Sequence, residues 1–258
     1  MASMKIGVSM LYKLGEPFEK MVDAIPGNEV KYVEVVDDGC QNLDKKRVAE
    51  LKDVGASYDV EFTVHAPFGG INIVVQDRVI LRATLRRLKE SITNAAALGC
   101  RLWVFHPGLR TGISSFYPGE DWVRNLECVD LLVHSAEDHG IKAGLENIME
   151  PFVLKTVEDF KRFYSESGLG VGFVLDVGHA NVVGELNGFL RAFPSRLVHV
   201  HAHDNLGRSD QHLGVGYGNI DWRDFAEVMK KNCFDGIVMV EAVEHIEESV
   251  QRLKKLLV

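Results

Sequence analysis

Short apolar runs of about five residues alternate along the chain with longer segments whose apolar positions recur every three or four residues. The runs fall at 5–10, 32–36, 61–65, 102–106, 142–146, 172–176, 197–201 and 237–241, each of ordinary strand length. Among the longer segments the clearest has Leu81, Leu85, Leu88, Ile92 and Ala95 on one stripe, with Arg82, Arg86 and Lys89 on other faces. That pattern predicts an amphipathic helix whose basic residues form a solvated face rather than a nucleic-acid stripe. Gly99 and Gly140 stand a few residues before strand-like runs, where helix C-terminal caps belong.

Eight strand–helix pairs in this order predict an α/β fold with a parallel sheet. A length of 258 residues matches the about 250 that a single (β/α)8 TIM barrel needs, so one domain over 1–258 is expected. In the seventh run, period-two alternation puts Leu197, His199 and His201 on the interior face and Val198, Val200 and Ala202 against the helices.

Six hard ligands close the apolar runs: His65 in FTVHAP, His106 in LWVFHPG, Glu146 in AGLEN, Asp176 in GFVLDVGH, His201 in LVHVH and Glu241 in IVMVE. Strand ends are rigid anchors at the mouth of such a barrel, where imidazoles and carboxylates can converge on an ion at about 2.0–2.2 Å. His179 in DVGH and the pair Asp210 and His212 in SDQH sit just beyond strand ends and extend the set. Together these residues can hold one ion with polar substrate contacts around it, or a cluster of two or three.

A lone histidine at a strand end is more often a hydrogen-bonded mouth residue than a ligand, so His65 or His106 alone carries little weight. Glu146, Asp176 and Glu241 directly follow apolar residues, where an unpaired carboxylate is costly to bury. A cation is their simplest shared partner, with Arg or Lys pairing as the alternative. Glu146, Asp176, Glu241 and His201 therefore form the expected metal set. For Asp210 and His212, simple solvation in a polar loop competes with ligation. His199 is expected inside the barrel below the site and His203 just above it as a substrate contact. His134, His139 and His245 have no motif around them and read as surface or helix-end residues. The glycine-rich GVGYGN at 214–219 lacks GxGxxG spacing and reads as a turn, followed by Asp221 as a helix cap and Trp222 opening an apolar face.

Net charge adds a constraint: −8 argues against broad phosphate-backbone binding. The four cysteines, Cys40, Cys100, Cys128 and Cys233, show no clustered spacing and no secretory apolar segment precedes them, which reads as reduced thiols in a cytoplasmic protein. No apolar run reaches the roughly 18 residues of a membrane span. Homo-oligomerisation is compatible with this composition.

The ordered series VHAPFG, VFHPG, LENI, LDVGHAN, HVHAHDN, SDQHLGVGYGNIDW and VMVEAVEH spans nearly the whole chain and resembles the xylose isomerase-like TIM-barrel superfamily. That superfamily includes sugar isomerases, sugar epimerases and endonuclease IV. In the epimerase branch, the resemblance implies one divalent ion held by Glu146, Asp176, His201 and Glu241, with the two glutamates exchanging the substrate proton. In the endonuclease IV branch it implies a trinuclear zinc site that adds His65, His106, His179, Asp210 and His212, and this chain has all nine. Two features lean away from DNA: the loop after the first strand is short, about 11–16, and the wording LDVGHAN and HAHDN looks like the sugar isomerase group. The loop at 107–120, with Arg110, Phe116 and Tyr117, is the one DNA-facing element the sequence offers.

The resemblance thus implies a sugar or sugar-phosphate isomerase or epimerase dependent on Zn, Mn or Co, one to three ions per chain. Glu146 and Glu241 would be acid and base around a metal-stabilised enediolate. His179, His203 and Arg208 would hold substrate hydroxyls or phosphate, the guanidinium being suited to bidentate contacts. The alternative is an apurinic/apyrimidinic endonuclease, with DNA as its partner and a metal-bridging hydroxide attacking phosphorus. A third, a metal-dependent sugar-binding module, leaves the paired glutamates without a purpose.

Overall fold

The computed structural model describes residues 4–257. Eight parallel strands close into a barrel in chain order: β1 (Lys5–Ser9), β2 (Tyr32–Val36), β3 (Glu61–His65), β4 (Leu102–Phe105), β5 (Lys142–Glu146), β6 (Gly172–Asp176), β7 (Leu197–Ala202) and β8 (Ile237–Val240). Outside them, among the described residues, lie the helices α1 (Phe18–Ala24), α2 (Lys45–Tyr58), α3 (Arg78–Leu98), α4 (Glu120–Asp138), α5 (Val157–Ser167), α6 (Val177–Val183), α7 (Leu186–Ala192), α8 (Trp222–Lys231) and α9 (Ile246–Leu257). The expected single barrel is therefore the fold, although residues 1–3 and 258 of the expected domain lie outside the described residues.

The apolar stripe of α3 faces inward as its spacing predicts. Leu88, Ile92 and Ala95 are buried in the layer between helices and sheet, while Arg82, Arg86 and Lys89 are exposed. Gly99 ends this helix with φ +91°, and its N–H returns to Ala95 and Ala96, so glycine is required there. At the other end Asp77 accepts from the N–H groups of Val79 and Ile80.

Strand ends differ from expectation by a residue. β4 stops at Phe105 because His106 precedes Pro107, which has no N–H to give a ladder. Glu241 follows the end of β8, yet its N–H still reaches the Ala202 carbonyl at 3.1 Å, which fixes it at the sheet's rim. In β7 the alternation at Leu197 and Val198 is the reverse of the expected one. A bulge in the pairing with β6 matches Phe173 to Leu197 but Val174 to His199. Leu197 consequently packs toward the outer core, whereas Val198 joins Leu102, Val104 and Val174 inside the barrel. His199 and His201 keep their inward direction, and Val200 and Ala202 pack against the helices.

No helix among the described residues is long and apolar enough to cross a membrane. All four cysteines are unpaired, Cys40 and Cys233 exposed and Cys100 and Cys128 buried. Burial pushes the Cys100 thiol far up and that of Cys128 up to about 11, which suppresses the reactive thiolate. In native, unreduced protein two thiols should react rapidly with a disulfide reagent, and four after denaturation. Fewer than four in freshly prepared denatured protein would contradict the absence of disulfides.

Candidate metal centre and cavity

The C-terminal ends of the strands form one cluster. Glu146 (β5), Asp176 (β6), His201 (β7) and Glu241 (after β8) each present one donor atom, all within 4.8 Å of one another. His201 Nδ1 lies 3.4 Å from Glu146 Oε2, 3.5 Å from Glu241 Oε2 and 3.9 Å from Asp176 Oδ2. His65 and His106 approach the same Glu146 Oε2 with Nε2 at 3.4 and 3.5 Å. A second group, His179, His203, Asp210 and His212, adjoins the first. His179 bridges the two, with Nδ1 3.3 Å from Glu146 Oε1 and Nε2 3.3 Å from Asp210 Oδ2.

The DVGH segment shows how local sequence builds this geometry. Asp176 is the N-cap of α6 and accepts the His179 N–H at 2.6 Å, which swings His179 onto the first helical turn and into the site. Gly178 is needed for another reason: a Cβ there would fall inside the His203 ring. That ring reaches Asp176 with Nε2 at 3.0 and 3.1 Å and stacks on His212 at 4.0 Å between centroids. His203 is thus wholly buried, packs on Asp176 and His212, and is not among the residues lining the cavity, where the sequence placed it.

The long loop after β7 is folded around Asp204. Its carboxylate accepts from the N–H groups of Asn205, Gly216 and Ile220 and from the Trp222 indole at 2.8 Å. GVGYGN is accordingly a turn wrapped on a buried acid, and Asp221 caps α8 as expected. The wrapping returns Asp210 and His212 to the site, where they lie 3.0 Å apart and His212 Nδ1 bonds the Glu241 carbonyl at 2.7 Å. Arg208 is exposed on this loop and does not line the cavity.

Two further groups beside the site escaped the sequence reading. Asn147 exchanges two bonds with the Asp176 backbone, at 2.9 and 3.0 Å, and offers its own carbonyl to His179 Nδ1 at 3.1 Å. Glu34, in the middle of β2, sits under His201. Asn147 follows Glu146 directly in LENI, and Glu34 is the ionisable residue at the inward phase of YVEVV, so both left a trace in the sequence.

Above the cluster opens a cavity of about 420 Å³. His65, His106, Glu146, His179, Asp210, His212 and Glu241 form its polar floor, while Leu11, Phe68, Ile71, Leu109, Met149 and Phe152 supply apolar walls. No Lys or Arg lines it among the described residues. Arg110, from the loop after β4, turns away to pair with Asp121 at 2.5 Å, while Phe116 and Tyr117 are exposed.

The donor set fits a divalent cation. Glu146 Oε2, His201 Nδ1 and Asp210 Oδ1 are buried without a hydrogen-bond partner. Among the described residues, no Lys or Arg pairs with Glu146, Asp176, Asp210 or Glu241, whose ionic contacts are all to histidine. Mixed carboxylate oxygen and imidazole nitrogen donors suit a divalent cation.

Without a cation, charge is shared among these groups. Burial opposes the Glu146 charge, but His201 and His106 outweigh it and hold the carboxyl well below its usual range. Burial raises Glu241, only partly offset by His201 and His212. Burial also opposes charging of His65 and His212, yet Glu146 and Asp210 respectively bring each up to about 9.

A sequence model of the xylose isomerase-like TIM barrel family matches residues 25–256, and the chain belongs to that family. It is similar to the uncharacterized protein MJ1311 of Methanocaldococcus jannaschii, 32% identical with 92% of this chain and 83% of that one covered. Its structure is similar to that of a D-tagatose 3-epimerase-like protein, with 31% identity, a TM-score of 0.92, and 98% and 97% of the two chains covered. It shares its fold with the Methylomonas sp. D-allulose 3-epimerase solved in complex with D-allulose, at 18% identity, a TM-score of 0.78, and 99% and 98% coverage.

The linkage of these groups predicts the pH response of chelator-stripped protein. His65 and His212, raised above their ordinary 6.5, contribute stability that is complete below 6.5 and lost as pH rises through about 9. Glu146, lowered, contributes stability present above its ordinary 4.5 and lost as pH falls. Melting temperature should therefore decline from pH 6.5 to 9, and saturating Mn²⁺ should remove most of that decline because the cation replaces the protons. Identical alkaline profiles with and without Mn²⁺ would contradict the assignment.

Proposed function

We propose that this protein is a divalent-cation-dependent isomerase or epimerase of a free sugar, working by proton transfer at a carbon beside a carbonyl. The observation that carries the reading is the pair Glu146 and Glu241: both belong to the four-donor cluster and both line the cavity. They come from the ends of β5 and β8, three strands apart around the ring, so the two carboxylates reach the cavity floor from different directions. One carboxylate can remove the proton and the other return it, which inverts the centre or moves the carbonyl.

A divalent cation held by Glu146, Asp176, His201 and Glu241 would supply Lewis-acid stabilisation for the negative charge developing on the substrate oxygens. His179, fixed by the Asn147 carbonyl and Asp210, presents its ring to the cavity and is placed to orient a hydroxyl. The apolar walls would pack against the C–H faces of a sugar. The absence of Lys and Arg from the lining favours an unphosphorylated substrate. The sugar epimerases among its structural neighbours support the same chemistry. A reducing, cytoplasmic location belongs to this reading, supported by the four unpaired cysteines.

One observation favours a second reading, an apurinic/apyrimidinic endonuclease. His65, His106 and Glu146 form a further three-donor group, and His179, Asp210 and His212 gather beside it, as a multinuclear site requires. The acidic chain and the pairing of Arg110 with Asp121 weigh against a DNA surface.

With a single ion and proton-exchange chemistry, metal-loaded protein should incorporate deuterium from heavy water beside the carbonyl of at least one ketose. Glu241→Gln should reduce that exchange by roughly 10²–10⁴-fold while leaving the fold intact. About three tightly held ions per chain, efficient nicking of abasic DNA and no exchange across a panel of ketoses and ketose phosphates would establish the endonuclease instead.

A further inference from the structure

Asn72 carries the one side-chain amide among the described residues that line the cavity, and the chemistry proposed above gives it no task. It stands half-buried on the loop after β3. Its Oδ1 accepts the N–H groups of Val74 and Leu109, each at 3.0 Å, and its Nδ2 donates to the Leu109 carbonyl at 2.9 Å. Turning the amide over would set its NH2 group against two N–H donors, so these bonds fix which end is oxygen.

The amide is also held in place by what lies behind it. Leu109 belongs to the loop after β4, and its far side is bridged to Phe152 of the loop after β5. The Arg110 N–H reaches the Pro151 carbonyl at 3.0 Å, and the Val153 N–H reaches the Gly108 carbonyl at 2.8 Å. A Cβ on Gly108 would collide with Val74, so the loops after β3 and β4 pack without slack. Asn72 thus takes the place of an edge strand in a miniature ladder of three loops.

A side-chain amide has two N–H groups, and only one of them is used among the described residues. The wall around it offers a ligand little else. Ile71, Leu109, Met149 and Phe152 are apolar, and Thr111 stands exposed at the rim. The Nε2 atoms of His65 and His106 are turned toward Glu146, at 3.4 and 3.5 Å. A ligand hydroxyl laid on this wall gives up water, and the amide of Asn72 is the donor in place to replace it.

We propose that Asn72 is a specificity-determining residue: its second N–H donates to a hydroxyl oxygen on the part of the sugar remote from the carbons that Glu146 and Glu241 serve. This rests on the sugar reading above. A purely architectural role accounts for the bonds to Val74 and Leu109, but not for an amide with an unspent donor in the lining of an otherwise apolar wall.

The test compares wild type with Asn72→Asp, which keeps both accepted bonds and loses every side-chain N–H, and with Asn72→Ala. Metal-loaded protein is assayed by deuterium exchange on D-fructose, D-tagatose and D-allulose and on their 4-, 5- and 6-deoxy analogues, with melting temperature as the check on folding. In wild type, removing one particular hydroxyl should lower kcat/KM by about 3–10-fold, chiefly through KM. In both variants the parent ketose should lose a similar factor, and that analogue should lose nothing further. Reduced stability with the discrimination among hydroxyls unchanged would make Asn72 a loop tie only and overturn the proposal, as would equal exchange of all analogues by wild type. A measurement that needs neither turnover nor a variant is the side-chain amide NMR signal of Asn72 in Zn²⁺-loaded wild type. Its two protons should shift unequally as the ketose is added, and a signal unmoved at saturation would sink the proposal while leaving the sugar reading intact. Neither exchange nor binding with any of the ketoses would overturn that reading and the proposal with it.

Discussion

The mouth of this barrel is governed by carboxylates that are buried, among the described residues, without a lysine or arginine to neutralise them. Glu146, Asp176 and Glu241 surround His201, and Glu34 approaches the same ring from below. In a low-dielectric interior such a set tolerates few states: protons shared with the imidazoles, or a cation. Nearly every other feature of the upper barrel, from the capped turn at Asp176 to the loop folded on Asp204, serves to hold these groups at fixed positions despite their mutual repulsion.

That rigidity comes from how each donor is tied to the backbone. Glu146 and Asp176 end strands, His201 lies within one, and Glu241 keeps a ladder bond beyond its strand. His179 is set by a helix cap, and His212 by a bond to the Glu241 carbonyl and a stack on His203. Pre-set positions of this kind lower the reorganisation needed when charge develops during a reaction. The loop bearing Asp210 and His212 depends on Asp204, so part of the site is supported by a residue that never reaches the cavity.

Membership of the xylose isomerase-like family accounts for the scaffold, while the chemistry must be argued from the site. Here the floor is ionic and the walls are apolar, and among the described residues no Lys or Arg lines the cavity to receive a phosphate. The proposed sugar substrate would match both surfaces, hydroxyls toward the carboxylates and imidazoles and C–H faces toward Phe68, Ile71 and Phe152.

The sequence alone determined the barrel, because strand and helix periodicities are local and eight alternations leave few ways to close a sheet. It also marked the donor residues at the strand ends that the fold gathers at the barrel mouth, since a hard side chain closing an apolar run is conspicuous without any knowledge of contacts. Tertiary structure decided what depends on phase and distance. The bulge in β7 reversed Leu197 and Val198, because one extra residue shifts every side chain that precedes it. Burial withdrew His203 from the cavity, and loop geometry left Arg208 outside it. Glu34 lies far along the chain from His201, and Asp204 from Trp222 by 18 residues, so neither partnership has a local signal; each exists only because barrel closure brings two strands, or a strand end and a helix start, within hydrogen-bond reach.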